Sequence, residues 1–297
     1  MVALACFSCT GEQAPPAFDA DAAWSYLIAQ CDMGPRNPGS DGHARVIDYL
    51  KQELESSGGE VTLQEFSVDD PYGEGRLDLA NIIAKFKPRE ERRVLLAAHF
   101  DTRPRADMEQ VDSLKTIPIL GANDGASGVA VLLAIAQIVG KRAPDDLGID
   151  IVLFDGEDYG KASDIDNYLL GSKYFAAQLS LIPGGYHPKA AILLDMVGGK
   201  NATIYQEANS LGGAPELTRL LFARAEKLGL TMFVAKRGKA MYDDHIPLLL
   251  AGIPTVDLID TEYPFWHTLG DTPENCSSES LRQTGVLLVD FLYNFPF

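Results

Sequence analysis

Seven apolar runs of strand length alternate with helical patterns along the chain, and three of them stop abruptly at acidic residues. Val94 to Ala98 runs into His99 and Asp101, Ile149 to Phe154 into Asp155, Glu157 and Asp158, and Ala190 to Leu194 into Asp195. The first and third of these runs are unbroken and the second is interrupted only by Asp150, the pattern, as opposed to an alternating one, of a strand buried on both faces. The other strand-length runs are Val61 to Phe66, Leu79 to Phe86, Ala202 to Gln206 and Thr255 to Ile259. Helical periodicity covers Asp19 to Cys31, Asp41 to Ser57, Ala126 to Val139, Asn167 to Leu179, Pro215 to Leu228, Asp244 to Ala251 and Ser278 to Tyr293. Gly58-Gly59 and Gly229 supply stops. The expected fold is therefore α/β, a three-layer α/β/α sandwich around a central mixed, mostly parallel β-sheet, with the opening strands forming a hairpin or meander. In open sheets of this kind chemistry collects beyond the carboxyl ends of the strands, so three separate strand ends aim polar residues at one rim.

Charge narrows the partners. A formal charge of −17 over 297 residues argues against a nucleic-acid ligand, which needs clustered Lys and Arg. No stretch reaches the roughly 20 apolar residues of a membrane-spanning helix. Cys6, Cys9, Cys31 and Cys276 are too scattered for a disulfide framework or a thiolate metal site, although Cys31 and Cys276 are able to form one bridge. Residues 1–18 read as a signal remnant or a flexible N-terminus, and residues 19–297 as one catalytic domain. The segment Cys6-Phe7-Ser8-Cys9-Thr10 resembles the cleavage end of a bacterial lipoprotein signal, with Cys9 or Cys6 carrying the lipid. That resemblance implies a lipid-anchored protein of the periplasm or cell envelope.

Taken singly, the polar clusters have ordinary explanations beside chemical ones. Asp124, within Gly121-Ala122-Asn123-Asp124-Gly125-Ala126-Ser127-Gly128, stands where a helix N-cap is expected. Neither a Gly-Lys-Ser/Thr phosphate loop nor a serine elbow is present there. Phe154-Asp155-Gly156-Glu157-Asp158 is either a solvated acidic loop or a pair of carboxylates dividing metal binding from proton transfer. His267, in Trp266-His267-Thr268, is either a packed imidazole or a ligand. Asp243-Asp244-His245, ahead of Ile246-Pro247, fits a capped helix start.

Their combination and order, with Ala98-His99-Phe100-Asp101-Thr102-Arg103-Pro104 and Leu194-Asp195-Met196-Val197-Gly198, resemble one family. That family is the zinc aminopeptidase and glutaminyl cyclase superfamily, and within it the zinc-dependent glutaminyl-peptide cyclotransferases of bacterial type. The resemblance spans roughly Arg93 to Asn275. It implies a zinc ion held by Asp124, Asp158 and His267, with a fourth position left open for catalysis. It further implies Glu157 as general acid/base, with Asp195 and Asp243 in a carboxylate network beside it. Relatives often carry Glu where Asp158 stands. Tyr263, Phe265 and Trp266 are expected to wall the substrate pocket, with His99, Asp101 and His245 either supporting the site or serving a second metal.

The resemblance leaves two enzymatic readings and one non-enzymatic one. Aminopeptidases of the superfamily bind two zinc ions, adding the equivalents of His99 and Asp195 as ligands, and usually read Ser-Asp-His where this chain reads Asp243-Asp244-His245. Cyclases carry Asp-Asp-His there and a Trp before the ligand histidine, as at Trp266. One zinc and cyclisation of N-terminal glutamine on peptides or proteins to pyroglutamate, with release of ammonia, is the expected activity. A zinc aminopeptidase is second, and a non-catalytic binding domain of the same fold is third. Asp257 departs from animal cyclases, which carry a histidine at that place, and Lys161 to Leu169 reads as a loop bordering the site.

Overall fold

A computed structural model describes residues 14–162, 164–182 and 185–297; Cys6 and Cys9, and with them the lipidation reading, lie outside those residues. Two helices, α1 (Ala20–Asp32) and α2 (Asp41–Ser56), precede the sheet, each begun by a side chain that accepts an amide of its own first turn, Asp19 from Ala22 and Ser40 from His43. Strands β1 (Glu60–Asp69) and β2 (Arg76–Phe86) form the expected antiparallel hairpin. Then follow β3 (Arg93–His99), α3 (Ala126–Lys141), β4 (Gly148–Phe154), α4 (Leu170–Leu179) and β5 (Ala190–Asp195). The chain closes with β6 (Ile204–Gln206), α5 (Ala208–Gly213), α6 (Pro215–Lys227), β7 (Phe233–Arg237), α7 (His245–Leu250), β8 (Thr255–Ile259) and α8 (Ser278–Tyr293).

The main sheet has six strands in the order β1-β2-β4-β3-β5-β8. β3 runs parallel to β4 and β5, and β5 to β8, while β2 meets β4 antiparallel. Side chains alternate across the central strands, and this builds two cores. Val94, Leu96 and Ala98 face a large one with α1, α3 and α8, whereas Leu95 and Ala97 face a smaller one with Phe175 of α4 and Leu248 of α7. Helices thus cover both faces, as the unbroken apolar runs require, and truncating a fully buried leucine such as Leu96 to alanine costs about 2–5 kcal/mol. Close approach of α3 to the sheet depends on Gly128, where a Cβ would lie 2.5 Å from the Leu194 carbonyl oxygen.

Two expectations need correction, and the cysteine pairing that the sequence left open is not made. Ile204–Gln206 is a short strand outside the main sheet, pairing with β7, a strand not among the expected runs that begins with the buried Phe233 and ends in the exposed Lys236 and Arg237. The helix expected from Asn167 starts only at Leu170, because Leu169 adopts a left-handed backbone with φ 59°. Cys31 and Cys276 are buried free thiols. Among the described residues no helix is long and apolar enough to cross a membrane.

Candidate metal centre

Each strand end fixes the next. His99 closes β3, and the amide of Phe100 still bonds the Phe154 carbonyl at 3.0 Å, which keeps the two loops together beyond the sheet. Asp101 then accepts the amides of Glu157 at 3.0 Å and Asp158 at 3.2 Å, so the loop after β3 holds the acidic pair after β4. Asp195 ends β5 and is followed by Met196 at φ 48°; His267, in the loop after β8, sits at φ 56°. Left-handed backbone at non-glycine residues costs energy and concentrates at functional sites.

Asp124 is not the helix cap that its position suggests. The N-cap of α3 is Gly125, at φ 103°, with no side-chain cap bond. A Cβ there would lie 2.6 Å from the Asp101 carbonyl oxygen. Asp271 takes the amides of Asn123 and Asp124 at 2.8 and 3.0 Å, which leaves the Asp124 carboxylate free to point into the site. The fully buried Arg36 clips the loop from behind, donating to the carbonyls of Phe100, Leu120 and Gly121.

Asp124, Asp158 and His267 come together as a group able to hold a metal ion, with one ligand atom of each within 4.8 Å of the others. His267 Nε2 lies 3.6 Å from Asp124 Oδ2 and 3.4 Å from Asp158 Oδ2. Arg103 donates to Asp158 Oδ1 at 2.5 Å, while Oδ2 is buried without a hydrogen-bond partner. A buried carboxylate oxygen without a hydrogen-bond partner, beside an imidazole, is a donor that a bound cation would satisfy. Two carboxylates and one imidazole are also the oxygen and nitrogen donors that zinc accepts at an open catalytic site. A second group, His99, Asp124 and Asp195, satisfies the same distance limit, with His99 Nε2 3.3 Å from both Asp124 Oδ1 and Asp195 Oδ1. Asp124 therefore faces one group with each oxygen.

Negative charge is in excess. Asp101, Asp124, Asp158, Asp195, Asp243, Asp244 and Asp257 are all buried, against the cation of Arg103 and a few imidazoles. Burial, reinforced by Asp158, Asp243 and Asp244, pushes the Glu157 carboxyl well above the usual range. Burial also raises Asp195 and Asp243, each beside other carboxylates. Asp158 goes the other way: burial opposes its charge, yet His267 and Arg103 hold it at about 2. For His99, burial works against protonation, but Asp101, Asp124 and Asp195 lift it well above the ordinary imidazole range. Glu157 is the least enclosed of these acids, being only partly buried. A carboxyl with raised proton affinity at the solvent margin of a metal-ready group is suited to taking up a proton from a bound molecule and giving it back.

Trp266 stacks on His267, with ring centroids 3.8 Å apart, and is 39 % exposed. Tyr263 is buried instead, donating its hydroxyl to Asp271 at 2.9 Å, and packs edge-on against Phe265. These three rings and Met108 line a groove of about 490 Å³ beside the site. His245 lies deeper, behind Asp243. In the loop that borders the site, Tyr168 accepts a bond from Arg103 at 3.0 Å. Reading the sequence gave no role to Arg103, Asp271 or Glu207. The first two follow recognisable blocks, after His99-Phe100-Asp101 and His267-Thr268, and that adjacency is the available signal.

The profile described as Peptidase family M28 matches residues 81–292. A glutaminyl cyclase of Bacteroides thetaiotaomicron, solved bound to N-acetylhistamine, is 38 % identical with TM-score 0.90, covering 95 % of this chain and 100 % of its own. A leucine aminopeptidase precursor of the same organism is 38 % identical with TM-score 0.91, covering 95 % and 99 %. The glutaminyl-peptide cyclotransferase-like protein of Bos taurus is 28 % identical over 286 residues, 88 % of this chain and 72 % of that protein.

Proposed function

The chain belongs to peptidase family M28, and on that premise we propose that it is a zinc-dependent glutaminyl-peptide cyclotransferase, converting N-terminal glutamine of peptides or proteins to pyroglutamate with release of ammonia. Asp243 carries the choice. Its carboxylate is buried among Glu157, Asp195 and Asp257, in the block where the aminopeptidase branch usually has serine.

Asp124, Asp158 and His267 would hold one zinc ion. When bound, zinc supplies Lewis acidity toward the γ-carbonyl of the glutamine. The side chain of the substrate folds so that its α-amine meets its own γ-carbon, a unimolecular encounter that needs no second reactant. Glu157 takes a proton from the attacking amine. The new bond joins the α-nitrogen to the γ-carbon, the bond from that carbon to the amide nitrogen breaks, and Glu157 returns the proton to the departing ammonia. Asp195 and Asp243 keep Glu157 in a shared-proton network and accept hydrogen bonds from the nitrogen groups. Trp266 covers the glutamine stem, and the acidic surroundings favour a free amino terminus. Residues 19–297 form the catalytic unit, and the Cys6–Cys9 segment supports a cell-envelope location.

A peptide beginning with glutamine, incubated with the protein and followed by mass spectrometry, is expected to lose one ammonia. Release of free amino acids with no cyclised peptide would move the assignment to aminopeptidase. The observation favouring that second reading is the His99, Asp124 and Asp195 group, which leaves room for another metal.

A further inference from the structure

Behind Asp243 lie buried side chains that the proton transfers do not use. Asp243, His245 and Asp257 bring one polar atom each within 4.8 Å of the others. Asp243 Oδ2, both nitrogens of His245 and both oxygens of Asp257 are buried without hydrogen-bond partners. Behind them stands Glu207, only 2 % exposed.

The carboxylate of Glu207 is bound from every side. It accepts the amides of Asn209 at 2.8 Å and Ser210 at 2.6 Å, capping α5, and the Ser210 hydroxyl at 2.7 Å. It also accepts the amide of Met241 at 2.9 Å, two residues before Asp243, and faces His245 Nε2 at 3.3 Å, two residues after it. His245 Nδ1 in turn lies 3.5 Å from Asp257 Oδ2. Ser210 Oγ accepts the amide of Asp257 at 3.0 Å, so the strand carrying that residue is tied to the same carboxylate. One side chain thus grips the segment bearing Asp243 on both flanks and, through Ser210 and His245, the residue packed against it.

We propose that Glu207 is a positioning residue for the reaction, holding Asp243 in the carboxylate network through Met241, His245 and Asp257. This rests on the cyclase reading above. A helix cap alone would need only the bonds to Asn209 and Ser210; the bond from Met241 and the close approach to His245 do nothing for α5 and fix the active-site segment. Side chains that orient reacting groups from behind typically matter by about tenfold to a hundredfold.

The test is a double-mutant cycle on the full chain with a glutamine-initiated peptide. Glu207→Gln is expected to lower kcat by about tenfold to a hundredfold with KM within about twofold and zinc content unchanged. In an Asp243→Asn background the same change should lower kcat by no more than about twofold, because the group it positions is already gone. An unchanged kcat, or an equal fall in both backgrounds, overturns the proposal and leaves Glu207 a helix cap. If Glu207→Gln fails to fold, His245→Gln, which spares the four hydrogen bonds to Glu207, is measured in its place, with the same expected and overturning results. Wild-type protein that does not cyclise the peptide would sink the functional reading itself, an outcome separate from either of these.

Discussion

The two groups around Asp124 look alike in outline and differ in what stands behind them. Each places one histidine nitrogen 3.3 to 3.6 Å from Asp124 and from one further aspartate. Behind Asp158 is the Arg103 guanidinium, which engages one oxygen and leaves the other orphaned. Behind Asp195 is Asp243, a second buried carboxylate. A cation at the back keeps a ligand ionised and ready for metal; a carboxylate at the back favours a shared proton. The arrangement teaches that one set of ligand types can yield a metal site on one side and a proton network on the other.

Substitutions can break that contrast. Asp158→Asn or His267→Ala should remove zinc and lower activity by about a thousandfold or more, a loss of several kcal/mol of transition-state stabilisation. His99→Gln should leave the zinc content of the purified protein unchanged, read by elemental analysis; loss of half the metal would show that both groups bind it. Glu157→Gln should reduce kcat by about a hundredfold to ten-thousandfold with zinc still bound, and loss of zinc in that variant would mean that Glu157 and Asp158 have been interchanged.

Smaller effects sharpen the contrast. Arg103→Met removes the rear cation and should weaken zinc affinity by about tenfold to a hundredfold, measured by competition with a chelator. An unchanged affinity would put the difference between the groups elsewhere. Away from both groups, burial opposes the charge of Glu207, but His245 and the amides of Asn209, Ser210 and Met241 hold its carboxyl at about 2 against an ordinary 4.5. A depressed carboxyl contributes stability that is full above its unfolded value and is lost as pH falls through the folded one. Wild type should therefore lose stability between about pH 4.5 and 2 more steeply than Glu207→Gln, as read by denaturant midpoints across that window.

How much of this was legible follows from which residues announce themselves. The central strands were readable because both faces are buried, so their sequences are apolar apart from the buried Arg93–Asp150 pair, and their ends could be read from the sudden arrival of His99, Glu157 and Asp195. β7 was not, since Phe233–Arg237 pairs with the short β6 and only its first residue is buried, the apolar stretch giving way at once to the exposed Lys236 and Arg237. Asp124 looked like a cap because local spacing cannot reveal Asp271, 147 residues away, which takes the amides instead and frees the carboxylate. Glu207 was silent for the same reason: its partners lie on α5, before α7 and on β8, and only the fold brings those segments to one carboxylate. The division of labour around Asp124 likewise depends on Arg103 reaching Asp158 across 55 residues.

The contrast between the two groups reduces to a count of metal ions during turnover. Metal-free protein titrated with zinc, while ammonia release from a glutamine-initiated peptide is followed, should reach full activity at one equivalent per chain. A plateau only at two equivalents, or free amino acid appearing in place of ammonia, would contradict a single-zinc ring-closing enzyme.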